Sequence, residues 1–451
     1  MPPSHETVVE SDLLASIDLR RLANASSGTS RDEAAESQSE TLLPGTASGL
    51  PEPLTLWDRW LVRWLVSLAK GLPLEICLWN GQSWNGSEAP AEARMTLRSP
   101  EALRNLFRDP SLGFGDGYMQ GEITVSGDLV RFCEIVELAS RQSPRWFDNR
   151  MWRWLHWLTP NTRSAARDHI RHHYDLGNEF YRLWLDEEMA YTCAYFPRPD
   201  LDLASAQQAK FDHVARKLRL QPGMQVVEAG CGWGGLAIHL AREYGVSVQA
   251  YNISREQVAY ARQRVRQAGL EGRVTVIEDD WRTIGGQYDA FVSVGMLEHV
   301  GPETFCELGR TLKCCLKPEG LGLLHTIGRN AARPMDRWTE KRIFPGGCPP
   351  SLQQMAEIFE APDFSVLDVE NLRLHYARTL EIWRDNFEAH VDQIESMFDQ
   401  NFVRMWRLYL SASIAAFRMG GLQLFQVVFA HGRNNAIPWT RGDLYASSQH
   451  V

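Results

Sequence analysis

From residue 223 onward, short apolar segments alternate with amphipathic helical patterns. The apolar segments read MQVVEAG, VSVQAY, VTVIEDD, YDAFVSVG and GLGLLHTIG, with helical periodicity between most of them. Strands that read as continuous apolar runs are covered on both faces, and helices that connect successive strands make their sheet parallel. The alternation therefore predicts an α/β fold built on a doubly wound parallel sheet.

Glycines follow the first of these strands in the sequence EAGCGWGG. Gly230, Gly232 and Gly234 allow a tight backbone turn at the carboxyl edge of the sheet, where open α/β folds bind ligands. The spacing after Glu228 differs from the G-x-G-x-x-G of dinucleotide-binding folds and resembles that of S-adenosylmethionine (SAM) methyltransferases. We therefore expect a SAM site with Glu228 near the amino-acid end of the cofactor. A turn that binds no ligand is the alternative.

The ends of the second and third strands carry polar and aromatic side chains. The second strand ends in AYNIS, without the acidic residue that holds a ribose in NAD-binding folds, and offers the neutral groups of Asn252 and Gln257. Asp280 and Trp281 follow the third strand. We expect Trp281 to stack on adenine beside a polar neighbour, and packing under a helix is the alternative.

Composition narrows the kinds of partner. The chain of 451 residues has a formal net charge of −9, which argues against nucleic acid because no positive field would attract phosphates. Its eight cysteines form no CxxC pair, which favours reduced thiols and a cytoplasmic location. No apolar run approaches the ~18–20 residues of a membrane span, and the N-terminus lacks a signal-peptide pattern. The sixteen tryptophans suit large pockets or a membrane interface.

The chain divides by composition into five segments. Residues 1–50 contain no aromatic residue and are rich in Ser, Glu, Gly and Ala, which is typical of a disordered arm. Residues 51–140 predict a small lipid-associated domain, with a helix over LWDRWLVRWLVSLAK, strands near LEICLWN and ARMTLRS, and a helix capped by Ser99. The remaining segments are an Arg/Trp-rich linker (141–170), a catalytic domain (171–436) and a C-terminal tail (437–451).

Several stretches together resemble the family of cyclopropane-fatty-acyl-phospholipid synthases and mycolic acid cyclopropane synthases. They are HYDLGNEFYRLWLDEEMAYTCAYF, EAGCGWGG, NISREQ, GMLEHVG, LLHTIG, RIFPGG, HYARTLEIW and FRMGGLQLFQVVF. The resemblance covers residues 171–432, and residues 54–140 resemble the family's smaller α+β domain, which is sterol-carrier-like. It implies a class I SAM-methyltransferase fold, Rossmann-like, in an enzyme that transfers a methylene group from SAM to the cis double bond of a phospholipid acyl chain. The product would be a cyclopropane ring.

The resemblance also implies that a bound bicarbonate is the general base. Glu298 would accept a hydrogen bond from the bicarbonate hydroxyl. The other bicarbonate oxygens would accept from the imidazole of His325, the phenol of Tyr376, the thiol of Cys193 and the backbone N–H of Ile327. Ser413 stands where the family usually has Cys. A serine without a partner base is a poor nucleophile, so activity survives if this side chain only lines the pocket and is impaired if the thiol is needed. The matching positions are Cys193, Glu298, His325, Ile327 (through its N–H) and Tyr376, and Ser413 is the position that departs from the family.

Further positions match the cofactor pocket of that family. Tyr191 and Thr192 match a lid over the methionine end of SAM, and Tyr174 lies in the same N-terminal block. His299 follows Glu298 directly, and we expect it to turn away into the structure because adjacent residues cannot both face one pocket. The other matching cofactor positions are Gly230, Asn252, Gln257 and Trp281.

Partners and location follow from the proposed substrate. An unsaturated acyl chain lies within a bilayer, so we expect a homodimer in the cytoplasm that works at a phospholipid membrane, peripheral to its inner face. The Arg/Trp-rich linker and the helix over residues 57–69 suit a membrane interface, and packing between domains is the alternative. His169 and His173 have helical i, i+4 spacing, but no HExxH or Cys/His pairing accompanies them, so we expect no metal.

Three other functions are open at this point. A carbocation that loses its proton elsewhere would give a methylene- or methyl-branched acyl chain instead of a ring. A methyltransferase that acts on a soluble amine would need neither bicarbonate nor an acyl tunnel. A non-catalytic lipid-binding relative would keep the fold; Ser413 favours it, whereas the SAM-site glycines, Tyr191 and Gln257 argue against it.

Overall fold

The structure, a computed structural model, describes residues 54–142 and 176–445. Two β-sheets organise these residues, one of four strands and one of seven. The predicted arm (residues 1–50) and almost all of the predicted Arg/Trp-rich linker (141–170) lie outside the described residues. The disorder and interfacial role predicted for them therefore stay predictions.

The four-stranded sheet confirms the helices and strands predicted between residues 51 and 140. The first helix begins at a capping box, in which the Thr55 hydroxyl accepts from the Asp58 N–H and the Asp58 carboxylate accepts from the Thr55 N–H, both at 3.1 Å. The Ser99 hydroxyl caps the second helix by accepting from the Ala102 N–H at 3.2 Å. The elements are α1 Leu56–Leu68, β1 Leu74–Cys77, β2 Ser83–Asn85, β3 Ala93–Leu97, α2 Pro100–Arg108, α3 Pro110–Gln120, β4 Ile123–Gly127 and α4 Leu129–Gln142, with strand order β2-β1-β3-β4.

The seven-stranded sheet follows the alternation read from the sequence, with one correction. Five strands run parallel in the order β9-β8-β5-β6-β7, but β11 pairs antiparallel with β9, and β10 pairs antiparallel with β11. The sheet is therefore mixed at this edge, although its doubly wound α/β class is confirmed. The strands are β5 Gln225–Ala229, β6 Ser247–Asn252, β7 Val274–Glu278, β8 Tyr288–Val294, β9 Leu316–Gly328, β10 Phe364–Asn371 and β11 Gln423–His431.

Helices cover both faces of this sheet and a further group packs beside it. Residues 373–418 form two long helices with a short one between them. The helices are α5 Asn178–Arg182, α6 Leu203–Lys217, α7 Gly235–Glu243, α8 Arg255–Gln267, α9 Phe305–Cys315, α10 Arg337–Arg342, α11 Leu352–Glu360, α12 Arg373–Ala389, α13 Val391–Met397, α14 Gln400–Arg418 and α15 Gly442–Tyr445.

Aromatic side chains build much of the core beside the large sheet. Trp184, Trp383 and Trp406 are fully buried in one cluster, formed mainly by residues 180–196 together with α12 and α14. Ring contacts at 5.6 to 5.8 Å join Trp184 to the other two indoles. The high tryptophan count therefore serves the interior as well as the surface.

The small sheet and the large sheet belong to one compact unit that spans Pro51–Val451. The Arg342 guanidinium on α10 makes two hydrogen bonds of 2.9 Å with the Asp116 carboxylate on α3. Trp338 on α10 packs directly over Gly115, where any Cβ would fall inside the van der Waals contact of the indole. These contacts attach the small domain to the segment between β9 and α11.

Two expectations from composition concern the state of the cysteines and the presence of membrane-spanning helices. All eight cysteines carry free thiols. Within residues 54–142 and 176–445, no helix combines the length and the apolar character needed to cross a bilayer.

Candidate active site

A cleft opens at the carboxyl ends of β5, β6, β7 and β8, the edge at which the sequence predicted a ligand. It encloses about 1140 Å³ of space, its open mouth included. The structure brings together nine of the eleven predicted cofactor residues on its walls. These are Tyr191, Thr192, Glu228, Gly230, Gly232, Asn252, Gln257, Asp280 and Trp281.

The two other predicted cofactor residues are Gly234 and Tyr174. Gly234 caps α7 in the left-handed conformation with φ +82°, and a Cβ there would lie 3.1 Å from the Ala261 Cβ on α8. Its lack of a side chain thus serves the packing of two helices, and it does not line the cleft. Tyr174 lies outside the described residues, so its role stays a prediction.

The glycine turn after β5 is fixed by backbone and amide hydrogen bonds. Gly230, at φ +85°, donates its N–H to the Tyr251 carbonyl at 2.9 Å. The Asn252 amide donates to the Gly232 carbonyl at 3.1 Å and to the Gln257 side-chain oxygen at 2.9 Å. Asn252 and Gln257 therefore hold the turn against the ends of β6 and α8, and their buried amides line the cleft.

The Asp280–Trp281 pair is completed by a residue that the sequence analysis did not single out, Arg282. The Arg282 guanidinium lies 4.4 Å from the Trp281 ring centroid and donates to the Asp280 carboxylate at 3.1 Å. Asp280 also accepts from the Arg282 N–H at 2.9 Å. The stacked guanidinium leaves the indole fixed at the cleft wall, an arrangement suited to hold an adenine.

Glu228 and Lys210 supply the buried charges of the cleft. Glu228 is 2% exposed, and burial raises the pKa of its carboxyl group to about 8, although Lys210 opposes the rise. Its Oε2 atom has no hydrogen-bond partner among the residues that the structure describes. Burial also lowers the pKa of Lys210 to about 8. An unpartnered buried carboxylate at this position fits the ammonium group of SAM.

Helix α6 holds the predicted lid residues from behind. The Gln207 amide donates to the carbonyls of Ala190 at 3.1 Å and Thr192 at 2.9 Å, and the Lys210 ammonium donates to the Thr192 hydroxyl at 2.8 Å. The hydroxyl groups of Tyr191 and Tyr409 are 2.7 Å apart. Gln207 and Lys210 were not predicted from the sequence. Two polar residues in the apolar stripe of a helix could have indicated that they serve the site.

Glu298 sits in a single helical turn, Leu297–His299, just after β8. Its Oε1 atom accepts a 2.6 Å hydrogen bond from the Ile327 N–H, and Oε2 has no partner within the described residues. The side chain is 7% exposed, and burial raises the pKa of its carboxyl group to about 7. Glu298 is therefore a buried acceptor with one free oxygen, poised to change protonation near neutral pH.

His325 is a second buried polar group and offers a hydrogen-bond donor. Its Nδ1 atom accepts a 3.0 Å hydrogen bond from the Gln426 amide on the paired strand β11, so the neutral ring carries its proton on Nε2. Burial lowers the pKa of the imidazole well below its ordinary value. In the part of the chain that the structure describes, the Nε2–H has no acceptor.

The other side chains predicted to be catalytic are Cys193, Tyr376 and Ser413. Cys193 is buried and its thiol donates to the Ala194 carbonyl at 3.1 Å; burial raises its pKa, so the thiol stays protonated. The Tyr376 ring packs 4.6 Å from Phe417. Ser413 lies on α14 one turn before Phe417 and is half-buried.

None of the six predicted catalytic residues lines the cleft. Cys193 follows the wall residue Thr192, and Glu298 precedes the wall residue His299. The Gly295 N–H, also on the wall, donates to the His325 carbonyl at 2.9 Å. Cys193, Glu298 and His325 therefore adjoin the cleft wall, and we call these three residues the second layer.

Two sequence expectations differ from the observed geometry here. His299 was expected to turn into the structure, but it lines the cleft and its ring lies 6.1 Å from that of Phe344. Successive residues in such a tight turn point about 120° apart, so Glu298 faces β9 while His299 faces the cleft. The Ile327 N–H, expected to donate to bicarbonate, donates to Glu298.

No group of three His, Cys, Asp or Glu side chains suited to a metal ion occurs in residues 54–142 and 176–445. His169 and His173 lie outside these ranges. The expected absence of a metal therefore stays a prediction.

Comparison with known proteins identifies the family. Residues 161–427 match the family described as mycolic acid cyclopropane synthetase, and residues 62–150 match one described as a domain of unknown function. The cyclopropane-fatty-acyl-phospholipid synthase of Escherichia coli K12 is 39% identical over 361 residues, which are 79% of this chain and 92% of the relative. A probable fatty acid methyltransferase of Pseudomonas putida is 35% identical over 394 residues, 83% of this chain and 96% of the relative.

A solved structure agrees with these relatives. Mycolic acid cyclopropane synthase CmaA1, complexed with SAH and CTAB, aligns with a TM-score of 0.56 at 31% identity, over 58% of this chain and 97% of that one. The fold and the cleft thus define a class I SAM-dependent methyltransferase, an enzyme that uses SAM. Within that class, the chain belongs to the mycolic acid cyclopropane synthetase family. The sterol-carrier-like character of the small domain stays a prediction.

Proposed function

We propose that this enzyme transfers a methylene group from SAM to the cis double bond of an unsaturated phospholipid acyl chain and closes a cyclopropane ring, with bound bicarbonate as general base. The E. coli relative, named for the same reaction, matches over most of both chains. The observation that carries the proposal is the buried pair of a free carboxylate oxygen on Glu298 and a free N–H on His325.

The cleft residues account for cofactor binding. When bound, SAM supplies an electrophilic methyl group on a sulfonium sulfur. Glu228 would hold its ammonium group, Asn252 and Gln257 would bond its ribose, and Trp281 would stack on its adenine. Tyr191 and Thr192, fixed by Tyr409 and Lys210, would cover the methionine end.

The second layer fits a small oxyanion that also carries a hydroxyl group. The His325 Nε2–H can donate to a bicarbonate oxygen, and the Glu298 Oε2 can accept from the bicarbonate hydroxyl. This arrangement orients the basic oxygen of bicarbonate toward the proton that ring closure removes. A positioned general base of this kind contributes about 10²–10⁴-fold to a rate.

Aromatic side chains protect the reaction from water. A carbocation on the acyl chain survives only in a dry site, and aromatic faces stabilise positive charge through cation–π attraction. Tyr376 packs between Phe417 at 4.6 Å and Trp383 at 6.0 Å, all three of them buried. These rings supply both requirements next to α14, where Ser413 lies.

The proposal includes the setting of the reaction. The substrate belongs to a bilayer, so the enzyme would work in the cytoplasm as a protein peripheral to the membrane. The exposed indoles of Trp57 and Trp60 on α1 support contact with a headgroup layer. A homodimer is supported by the sequence resemblance to the family.

The test uses purified protein, SAM and vesicles of a cis-monounsaturated phospholipid, with and without added bicarbonate, and vesicles of a saturated phospholipid as control. Proton NMR of the extracted acyl chains is expected to show upfield ring signals that increase with bicarbonate and are absent from the saturated control. Ring signals that ignore bicarbonate after rigorous degassing would contradict the base assignment. SAM binding without any product would favour a non-catalytic lipid-binding relative.

A branched product is the second candidate, because the P. putida relative is named a probable fatty acid methyltransferase and matches 83% of this chain. The first bond formed on the acyl chain would be the same, but the proton would leave from a neighbouring carbon. Methylene or methyl signals in the same NMR spectra, in place of upfield ring signals, would establish this outcome.

A further inference from the structure

Helix α1 presents exposed tryptophans that its own domain does not cover. Trp57 is 56% exposed, Trp60 is 45% exposed, and their rings stack at 5.1 Å. Leu56, one turn before Trp60, is 84% exposed. Exposed aromatic rings grouped on one helix mark a contact surface more often than scattered apolar residues do.

A groove along the same helix is lined by positive but not by negative side chains among the described residues. Arg59 and Arg63 lie one turn apart on α1, and Lys70 follows the end of the helix. All three are exposed and line the groove together with Trp84 and the polar loop residue Gln82. No acidic side chain lines the groove among the described residues, and none of the three cations forms an ion pair or hydrogen bond with them.

The charge of the groove contrasts with its surroundings. The described part of the small domain, residues 54–142, contains nine Lys and Arg and eleven Asp and Glu, and the whole chain carries −9. Most of the other cations of this domain, such as Arg94 and Arg131, are paired with carboxylates. The three unpaired cations of the groove are therefore a local feature and not the consequence of a basic domain.

We propose that this groove binds the phosphate of a phospholipid headgroup while Trp57, Trp60 and Leu56 enter the headgroup layer beside it. The inference rests on the proposed function, because it makes α1 the element that meets the bilayer from which the acyl chain is drawn. Cations attract an anionic membrane surface, and tryptophans favour the boundary between headgroups and acyl chains. A soluble phosphate compound would use the cations but not the neighbouring exposed indoles.

The test is sedimentation of the full-length protein with sucrose-loaded vesicles, either phosphatidylcholine alone or phosphatidylcholine with phosphatidylglycerol. The variant Arg59→Ala/Arg63→Ala/Lys70→Ala removes the groove charges. The control Arg266→Ala/Arg310→Ala/Lys313→Ala removes three exposed cations that have no ion pair with another described residue, so the net charge changes equally. Turnover of an unsaturated phospholipid dispersed in detergent is measured in parallel.

The groove variant is expected to bind phosphatidylglycerol vesicles about 10- to 100-fold more weakly than the wild type, while the control binds within about threefold. Raised salt is expected to reduce the difference between the variants because it screens the surface charge. Trp57→Ala/Trp60→Ala is expected to weaken binding to both kinds of vesicle.

Two results would overturn the inference: a groove variant that sediments like the wild type, or a control that loses as much binding as the groove variant. Failure of the proposed function would be seen separately, as absence of turnover in detergent by the wild type. Vesicle sedimentation does not depend on turnover, so it tests the role of the groove whether or not the wild type turns over the phospholipid.

Discussion

The Oε1 atom of Glu298 accepts a 2.6 Å hydrogen bond from the backbone N–H of Ile327. This bond ties the turn after β8 to the end of β9, two strands whose register already pairs Val294 with His325. The second oxygen of the carboxylate is left as an acceptor without a partner among the described residues. The sheet itself thus sets the relation between the acceptor and the donor of the proposed base site.

Activity is expected to depend on the ionisation of Glu298. Burial raises the pKa of this carboxyl group to about 7, so it is protonated below that pH and accepts the bicarbonate proton only above it. The kcat/KM of the wild type is therefore expected to fall as the pH falls through about 7. Glu298→Gln is expected to lose about 10²–10⁴-fold and to lack this acidic limb.

A matched control for this change is Glu271→Gln, which also converts a carboxylate to an amide but at an exposed position. It is expected to keep the wild-type pH profile. An acidic limb that persists in Glu298→Gln would show that another group controls the pH dependence.

Binding of SAM is expected to release a proton from Glu228. Burial raises the pKa of this carboxyl group to about 8, so much of it is protonated at pH 7, and a bound ammonium group would lower that pKa. Affinity is therefore expected to increase as the pH rises from about 6 to 7. Calorimetry in buffers of different ionisation enthalpy measures the released proton.

The comparison for this experiment is Glu228→Gln, in which the amide cannot ionise. It is expected to release no proton and to bind SAM about 10-fold or more weakly, because a charge-assisted hydrogen bond is lost. Equal proton release by the wild type and the variant would assign the proton to another group, of which Lys210 is the nearest choice.

The small domain is expected to support the segment between β9 and α11 through the close contact of Gly115 with Trp338. A methyl group at position 115 would overlap the indole, and overpacking of this kind costs about 1–3 kcal/mol. Gly115→Ala is therefore expected to lower the midpoint of thermal unfolding. It is also expected to reduce kcat/KM, because α10 leads into a segment that contacts Glu298. In that segment the Cys348 N–H donates to the Glu298 carbonyl at 2.7 Å.

The control for Gly115→Ala is Gly272→Ala, where a Cβ would meet nothing within 4 Å and the backbone is not left-handed. It is expected to leave both quantities unchanged. Wild-type stability and activity in Gly115→Ala would show that the two domains dock without this contact.

Much of the large sheet could be predicted because its strands are continuous apolar runs separated by helices. The direction of β11 could not, since an apolar run such as LQLFQVVFA reads the same in either direction, and the edge strand β10 alternates weakly. The strand β2 has only three residues and no apolar alternation, so it carried no signal.

The cofactor residues were predictable where they follow strands, because the carboxyl ends of parallel strands meet at one edge. Lys210 was missed because it reaches the cleft from a helix that precedes the first of these strands. The orientation of His299 was wrong because the strand pattern gave no indication of the helical turn that follows Val294.

Ser413 is expected to line the site without taking part in proton transfer. The structure gives its hydroxyl group no hydrogen-bond partner among the described residues, so no base is present to activate it. Ser413→Ala and Ser413→Cys are therefore expected to keep kcat/KM within about threefold, equivalent to about 0.6 kcal/mol. Tyr376→Phe, which removes a predicted donor to bicarbonate, serves as the comparison and is expected to lose more. Loss of turnover in Ser413→Ala with intact SAM binding would instead assign the hydroxyl a role in proton transfer, and a gain of about tenfold or more in Ser413→Cys would show that the thiol is needed.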